Sequence, residues 1–254
     1  MKKTKTHKIN VLKAIIQTIE NIKSCWKTLL LFAVISITMG FALEMILLKS
    51  GFMSFLGGFA VGRFLVYIIK LLYIMVIIKT TSNIMKGEST HPMDIFKVAV
   101  SKIGHILFQV IICCGFLVLP LISVFVLLIA ITDAKMISSV ITYIMLGLLC
   151  VKIIFSVHGV LVSDLDALEG IKESISITKG NFFKLLLTII GLWLLNYAIK
   201  YSIGLLVNGD YITNIVTYIT TAFMTIIQVT LLTSMYHQRV YKEIAHQPEP
   251  CGII

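Results

Sequence analysis

The sequence predicts an all-α polytopic membrane protein, a bundle of six transmembrane helices with short amphipathic interfacial helices on the cytoplasmic side. Of the 254 residues, 58% are hydrophobic and only 13% are charged, whereas soluble domains are about half apolar and about a quarter charged. The apolar residues form runs of about 20 or more, the length that a helix needs to cross a bilayer. Most basic residues lie beside these runs rather than within them.

Six apolar segments have the length of a span, and the whole chain, 1–254, is predicted to be a single integral membrane domain. The third and fourth are separated only by TDAK and the fifth and sixth only by NGDY, so each pair should form a tight helical hairpin. The first segment is too long for a signal peptide and should be retained. A polar, proline-containing tail is predicted to be disordered over 244–254. The predicted spans are 28–48, 59–79, 105–131, 136–161, 185–207 and 212–235.

The distribution of Lys and Arg predicts the orientation of these spans. Sixteen basic residues lie on the side of the two termini and three on the other side. Cytoplasmic loops carry such an excess of Lys and Arg, so we expect a protein of the cell inner membrane with both termini in the cytoplasm. The sixteen are Lys2, Lys3, Lys5, Lys8, Lys13, Lys23, Lys27, Lys79, Lys86, Lys97, Lys102, Lys172, Lys179, Lys184, Arg239 and Lys242, and the three are Lys49, Arg63 and Lys135.

Reporter fusions can test this orientation. A reporter joined after Lys135 or after Asp210 should report the non-cytoplasmic side, and one joined after His246 should report the cytoplasm, because an even number of spans separates the two termini. Alkaline phosphatase and green fluorescent protein activities provide the two readouts. An odd number of crossings would contradict the assignment.

A short amphipathic stretch precedes spans one, three and five, and its apolar residues recur with the 3.6-residue period of a helix. The first such helix is predicted over 8–24. Pro92 suits the first position of the second, while Gly104 and Gly180 stand where the second and third should end and turn. We expect the apolar faces to lie in the headgroup region or against the bundle, and the lysines to meet anionic lipid headgroups. The apolar faces comprise Ile9, Leu12, Ile16, Ile19 and Ile22; Phe96, Ala99, Val100 and Ile103; and Leu168, Ile171 and Ile175.

The segment VLVSDLDALEGIKESISITKGNFFKLLLTI resembles the signature region of the YciC-like family of uncharacterised bacterial inner-membrane proteins, and the related membrane domain of some glycerophosphodiester phosphodiesterases. The matching features are an acidic turn at Asp164 or Asp166, Ser174 within a helix, and an aromatic and basic entry into a span at 179–184. The resemblance is clearest over 140–245. It implies six spans and an inner-membrane location. It implies no reaction, because the family has no agreed activity and the chain has no soluble phosphodiesterase domain.

Ionisable and polar residues within spans are candidates for function, because they are costly in hydrocarbon. Glu44 and Arg63 lie near the outer ends of spans one and two, where they could pair with each other or reach the interface. Lys70 lies near the middle of span two. In span five, Lys200 could extend its ammonium group towards the interface, and Asn196 is a polar neighbour.

No catalytic, cofactor-binding or metal-ligating set is predicted. His158 and Cys150 lie eight residues apart in one span without a third ligand at helical spacing, and a metal site needs more ligands. Ser174 has acidic neighbours, but a serine in a polar helix face is usually only solvated. The net charge of +10 follows from the membrane orientation and does not indicate nucleic-acid binding. Cys251, fourth from the end, is a candidate lipidation site, since such an arrangement is prenylated in a eukaryotic cytosol.

These observations predict a non-enzymatic multi-pass inner-membrane protein with a role in membrane or envelope lipid organisation. The alternative is a small-solute or lipid transporter with a polar cavity around Lys70. Two weaker alternatives are a membrane-embedded enzyme and a prenylated multi-pass protein that acts in a eukaryotic host membrane. A polar cavity lined by Lys70 would favour the transporter.

Overall fold

A computed structural model describes residues 8–49, 56–113, 115, 123, 126, 135–206 and 210–244. The described residues are almost entirely helical and contain no strand. Five described segments are long and apolar enough to cross a membrane: Val11–Ala42, Phe64–Lys86, Pro92–Cys113, Phe182–Leu205 and Ile215–Val240. The helices are α1 (Val11–Lys49), α2 (Leu56–Lys86), α3 (Pro92–Cys113), α4 (Lys135–Ile153), α5 (Ser156–Val162), α6 (Ala167–Thr178), α7 (Phe182–Leu206) and α8 (Asp210–Ile244).

These helices match the apolar runs of the sequence, with differences at the junctions. The amphipathic stretch at 8–24 and the span predicted at 28–48 are two helices that meet at a kink within α1, where Cys25 is non-helical, with φ −122° and ψ 20°. The span predicted at 136–161 is divided into α4 and α5. Most of the span predicted at 105–131, the TDAK connection and the tail 245–254 lie outside the described residues.

The two glycines predicted to end the amphipathic helices behave differently. Gly180 lies between α6 and α7 with a φ of +85°, a conformation that favours glycine because a side chain would clash, so the predicted bend is confirmed. Gly104 was predicted wrongly. It lies inside α3, which continues from Pro92 to Cys113, because the residues around Gly104 keep the helical period and one glycine costs a helix only about 1 kcal/mol.

The described chain divides into two compact units, and one of them comprises Asn10–Val100 with Ile190–Ile254. In this unit α1, α2 and α8 pack against one another. Hydrogen bonds join the helices: the Tyr73 hydroxyl donates to the Ala222 carbonyl at 3.2 Å, and His237 Nε2 lies 3.1 Å from Ser82 Oγ. The buried apolar side chains of this core include Leu29, Phe32, Ala33, Met75, Val76, Ile77, Ile78, Met235 and Tyr236.

The other unit comprises Met1–Ile9 with Ser101–Ile189, and its centre is the crossing of α5 and α6. Here the helices approach through glycines. A Cβ atom added to Gly159 would lie 2.9 Å from the Gly170 Cα, and one added to Gly170 would lie 2.8 Å from the Ser156 carbonyl oxygen. Gln109 Nε2 of α3 donates to the Ala167 carbonyl at 3.0 Å. Small residues allow this close backbone approach, as is usual where helices associate within membranes.

Ser174 of α6 stabilises the break between α4 and α5. Its Oγ accepts a hydrogen bond from the Phe155 N–H at 3.0 Å and donates one to the Lys152 carbonyl at 2.7 Å. Both backbone groups lie where the regular helix stops. At such an end, backbone N–H and carbonyl groups lack hydrogen-bond partners within the helix. The serine that the family resemblance singled out therefore has a structural role here.

The connection between α6 and α7 also holds the start of the described chain. The Ile9 N–H donates to Asn181 Oδ1 at 2.9 Å, and Lys184 Nζ donates to the Ile9 carbonyl at 2.9 Å. Both Ile9 and Asn181 are buried. Ile9, two residues before α1, is thus bonded through both its backbone N–H and its carbonyl.

The amphipathic helices bury one set of residues and expose another. In α6 the buried residues are mostly small or polar, among them Ala167, Gly170 and Ser174, whereas Leu168 and Ile175 are 54% and 46% exposed. In α1, Ala14, Thr18 and Asn21 are buried, and in α3, Ile95 and Ala99 are buried. Small and polar residues make many of the helix contacts, and many of the large apolar residues project outwards, where lipid would solvate them. The exposed set includes Leu12, Ile16, Ile19, Met93, Phe96 and Val100.

Candidate functional site

A cavity of about 450 Å³ lies in the unit formed by Asn10–Val100 and Ile190–Ile254. Pockets of roughly 300–1,000 Å³ are the size that small ligands occupy. Four helices surround it: α1, α2 and α8 provide most of the wall, and α7 contributes Lys200. The lining residues are Ser36, Ile37, Gly40, Val66, Ile69, Lys70, Tyr73, Ile74, Lys200, Thr217, Tyr218, Thr221, Ala222 and Thr225.

Lys70 and Lys200 bring two ammonium groups to this cavity. Lys70 is exposed and Lys200 is partly buried, so the cavity is open on the side where they lie. Each lies within a helix segment apolar enough to cross a membrane. Lys70 lies near the middle of α2, which runs from Leu56 to Lys86, and Lys200 lies six residues before the end of α7 at Leu206. The two charges come from different helices and line one cavity.

The rest of the polar lining is made of hydroxyl groups. Thr217, Thr221 and Thr225 recur every four residues along α8 and line the cavity together, as residues on one helix face do. The hydroxyls of Thr221 and Thr225 donate to the carbonyls of Thr217 and Thr221 at 2.7 and 2.8 Å. Their oxygen lone pairs remain able to accept hydrogen bonds from water or from a ligand.

An apolar pocket of about 100 Å³ adjoins the cavity. The two share Ser36, Ile69 and Tyr73. On α2 the apolar pocket extends to Val76, beyond Lys70 in the direction of Lys86. Its remaining residues are Phe32, Ile35, Met39, Leu72 and Phe96. The site thus combines a part with two lysines and an adjoining, mostly apolar part.

The structure brings together two of the residues predicted to form a site and leaves the others apart. Lys70 and Lys200 line the same cavity. Asn196 lies in α7, outside this lining, and its Oδ1 is buried without a hydrogen-bond partner. Glu44 and Arg63 lie in α1 and α2, but their side chains are outside the described part of the structure, so their pairing stays a prediction. Cys251 also lies outside it.

Sequence reasoning missed the threonines of α8. Their signal was the spacing of Thr217, Thr221 and Thr225 within an apolar span, which places three hydroxyls on one face. Tyr218 and Ser36 carried no comparable signal, because a lone tyrosine or serine is common in membrane helices. Over the described residues, no group of three His, Cys, Asp or Glu side chains could hold a metal ion.

The site can bind and orient a ligand, since it offers two cations, hydroxyl oxygens and an apolar extension. Known proteins offer no further guidance on which ligand this is. No protein-family model, no curated protein and no solved structure matches this chain.

Proposed function

We propose that this chain is a non-enzymatic, six-span membrane protein that binds an amphiphilic solute between α1, α2, α7 and α8. The observation that carries the proposal is the continuity of the cavity with the apolar pocket through Ser36, Ile69 and Tyr73. A polar solute alone would leave the apolar pocket empty, and an apolar one would leave two lysines without a polar partner. A molecule with both parts satisfies both regions.

The site favours lipid or solute transport over a purely structural role. A lysine in hydrocarbon costs about 2.5–3.5 kcal/mol on insertion scales unless it is hydrated or paired. Two lysines on different helices that meet in one cavity are difficult to explain as packing. The inner-membrane location, with both termini in the cytoplasm, is supported by the side on which the basic residues lie and by the resemblance to the YciC-like family.

A second candidate function, the organisation of bilayer lipid, is favoured by a different observation. The amphipathic parts of α1, α3 and α6 project large apolar side chains outwards, including Leu12, Phe96 and Leu168. Helices of this kind lie in the headgroup region and disturb lipid packing there. This function needs no internal ligand, so filling the cavity would leave it intact.

A cavity-filling substitution tests the binding function. Thr221→Trp places a large ring in the cavity and should abolish retention of a bound amphiphile. The matched control is Thr38→Trp in α1, where the threonine is exposed and does not line the cavity. Native mass spectrometry of the protein purified in a mild detergent measures retained molecules of lipid mass. Equal retention by Thr221→Trp and the wild type would contradict the proposal.

A further inference from the structure

We infer that the amphiphile is an anionic lipid whose headgroup lies between Lys70 and Lys200, with its acyl chain in the adjoining apolar pocket. The inference rests on the proposed function and specifies the ligand of the same site. It is distinct from the attraction of lysines at the membrane surface to anionic lipid, because Lys70 and Lys200 lie within helix segments apolar enough to cross a membrane and line a cavity.

Charge is the first argument. Two ammonium groups line the cavity, and the described lining residues of the cavity and of the apolar pocket include no Asp or Glu. Like charges that share a site of low dielectric repel, and an anion between them relieves the repulsion. Lys Nζ offers three hydrogen-bond donors and no acceptor. A phosphate or carboxylate therefore complements this part of the site, whereas a cationic headgroup does not.

The adjoining apolar pocket is the second argument. It shares Ile69 and Tyr73 of α2 with the cavity and extends along α2 to Leu72 and Val76. An acyl chain attached to a headgroup at the lysines can therefore enter this pocket. A small inorganic anion would not use the apolar pocket.

Access is the third argument. The α1, α2 and α8 walls pack against one another, whereas Lys200 is the single residue of α7 among the described lining. The side next to α7 is therefore the least closed, and Lys70 is exposed. A lipid can enter sideways through such an opening without first leaving the membrane.

The test is lipid binding by native mass spectrometry with delipidated, detergent-solubilised full-length protein. Phosphatidylglycerol should bind at least about tenfold more tightly than phosphatidylcholine of the same chain length. Lys70→Gln and Lys200→Gln should each weaken phosphatidylglycerol binding about tenfold or more, since hydrogen bonds to charged groups are among the stronger ones, and leave phosphatidylcholine binding unchanged. Lys70→Arg, which keeps the positive charge, should retain most of the affinity for phosphatidylglycerol. Retained affinity in this variant would show that the site folds when Lys70 is replaced. Lys152→Gln is the control, because Lys152 is an exposed lysine of α4 outside the cavity.

Two further results distinguish the ways in which the inference can fail. Equal binding of the two lipids, with both lost in Thr221→Trp, would overturn the anionic assignment and leave the proposed function standing. If neither lipid binds and Thr221→Trp changes the retention of no molecule, the anionic-lipid inference and the proposed function are both wrong. A separate arm uses millimolar inorganic phosphate. If phosphate displaces phosphatidylglycerol and binds with the same dependence on the two lysines, the ligand is a free anion and the lipid assignment is wrong.

Discussion

Replacing Gly170 with leucine is expected to prevent α5 and α6 from packing and to unfold the unit that contains them. A Cβ atom at this position would lie 2.8 Å from the Ser156 carbonyl oxygen, 3.0 Å from Gln109 Nε2 and 3.2 Å from a Val160 methyl carbon. The nearest of these is backbone, which cannot move aside as a side chain can. We expect a loss of about 3 kcal/mol, at the upper end of the cost of overpacking.

The measurement is the temperature at which detergent-solubilised protein loses its monodisperse size-exclusion peak. The matched control is Gly104→Leu, in the same unit, where an added Cβ meets nothing within 4 Å. This control should be no less stable than the wild type, because leucine favours a helix by up to about 1 kcal/mol over glycine. Equal stability of the two variants would show that the contact of α5 with α6 is not tight.

Replacing Ser174 with alanine is the second substitution with a large expected effect. The change removes the partner of the Phe155 N–H and of the Lys152 carbonyl at once, and Ser174 is fully buried. Each unsatisfied buried group costs about 1–3 kcal/mol, so we expect a loss of about 2–4 kcal/mol. Ser176→Ala, in the same helix but exposed, is the control.

The same thermal assay reports this loss, and hydrogen exchange locates it. Exchange at the Phe155 amide should increase sharply in Ser174→Ala and remain unchanged in Ser176→Ala. Unchanged protection at Phe155 in Ser174→Ala would show that α4 and α5 do not depend on this hydroxyl.

The sequence predicted the helices well, because an apolar run of span length has few alternatives in a bilayer. It also identified Lys70 and Lys200, since a charge within such a run stands out. The bend at Gly180 was predictable from a glycine that follows a lysine at the end of an amphipathic pattern. Gly104 carried the same local signal and was predicted wrongly, so this signal alone does not decide whether a helix ends.

The packed faces could not be read from amphipathicity alone. That pattern left the large apolar residues free to face either the headgroup region or the bundle. In a membrane, lipid solvates Leu168 and Ile175 as well as another helix would, and close approach depends on small residues such as Gly170. Which glycines and serines make contact depends on how helices cross, and the pairing of Gly170 with Gly159 follows from tertiary structure alone.

The hydrogen bonds that join Ile9 to Asn181 and Lys184 set an order of events during biosynthesis. The backbone of Ile9 is bonded to Asn181 and Lys184, and Asn181 is 172 residues further along the chain. Ribosomes make the amino-terminal end first, so Ile9 emerges long before its partners exist. Ile9 therefore cannot reach its final position until the chain has been translated beyond Lys184. A nascent chain arrested before residue 181 should leave Ile9 open to proteases, and release of the arrest should protect it.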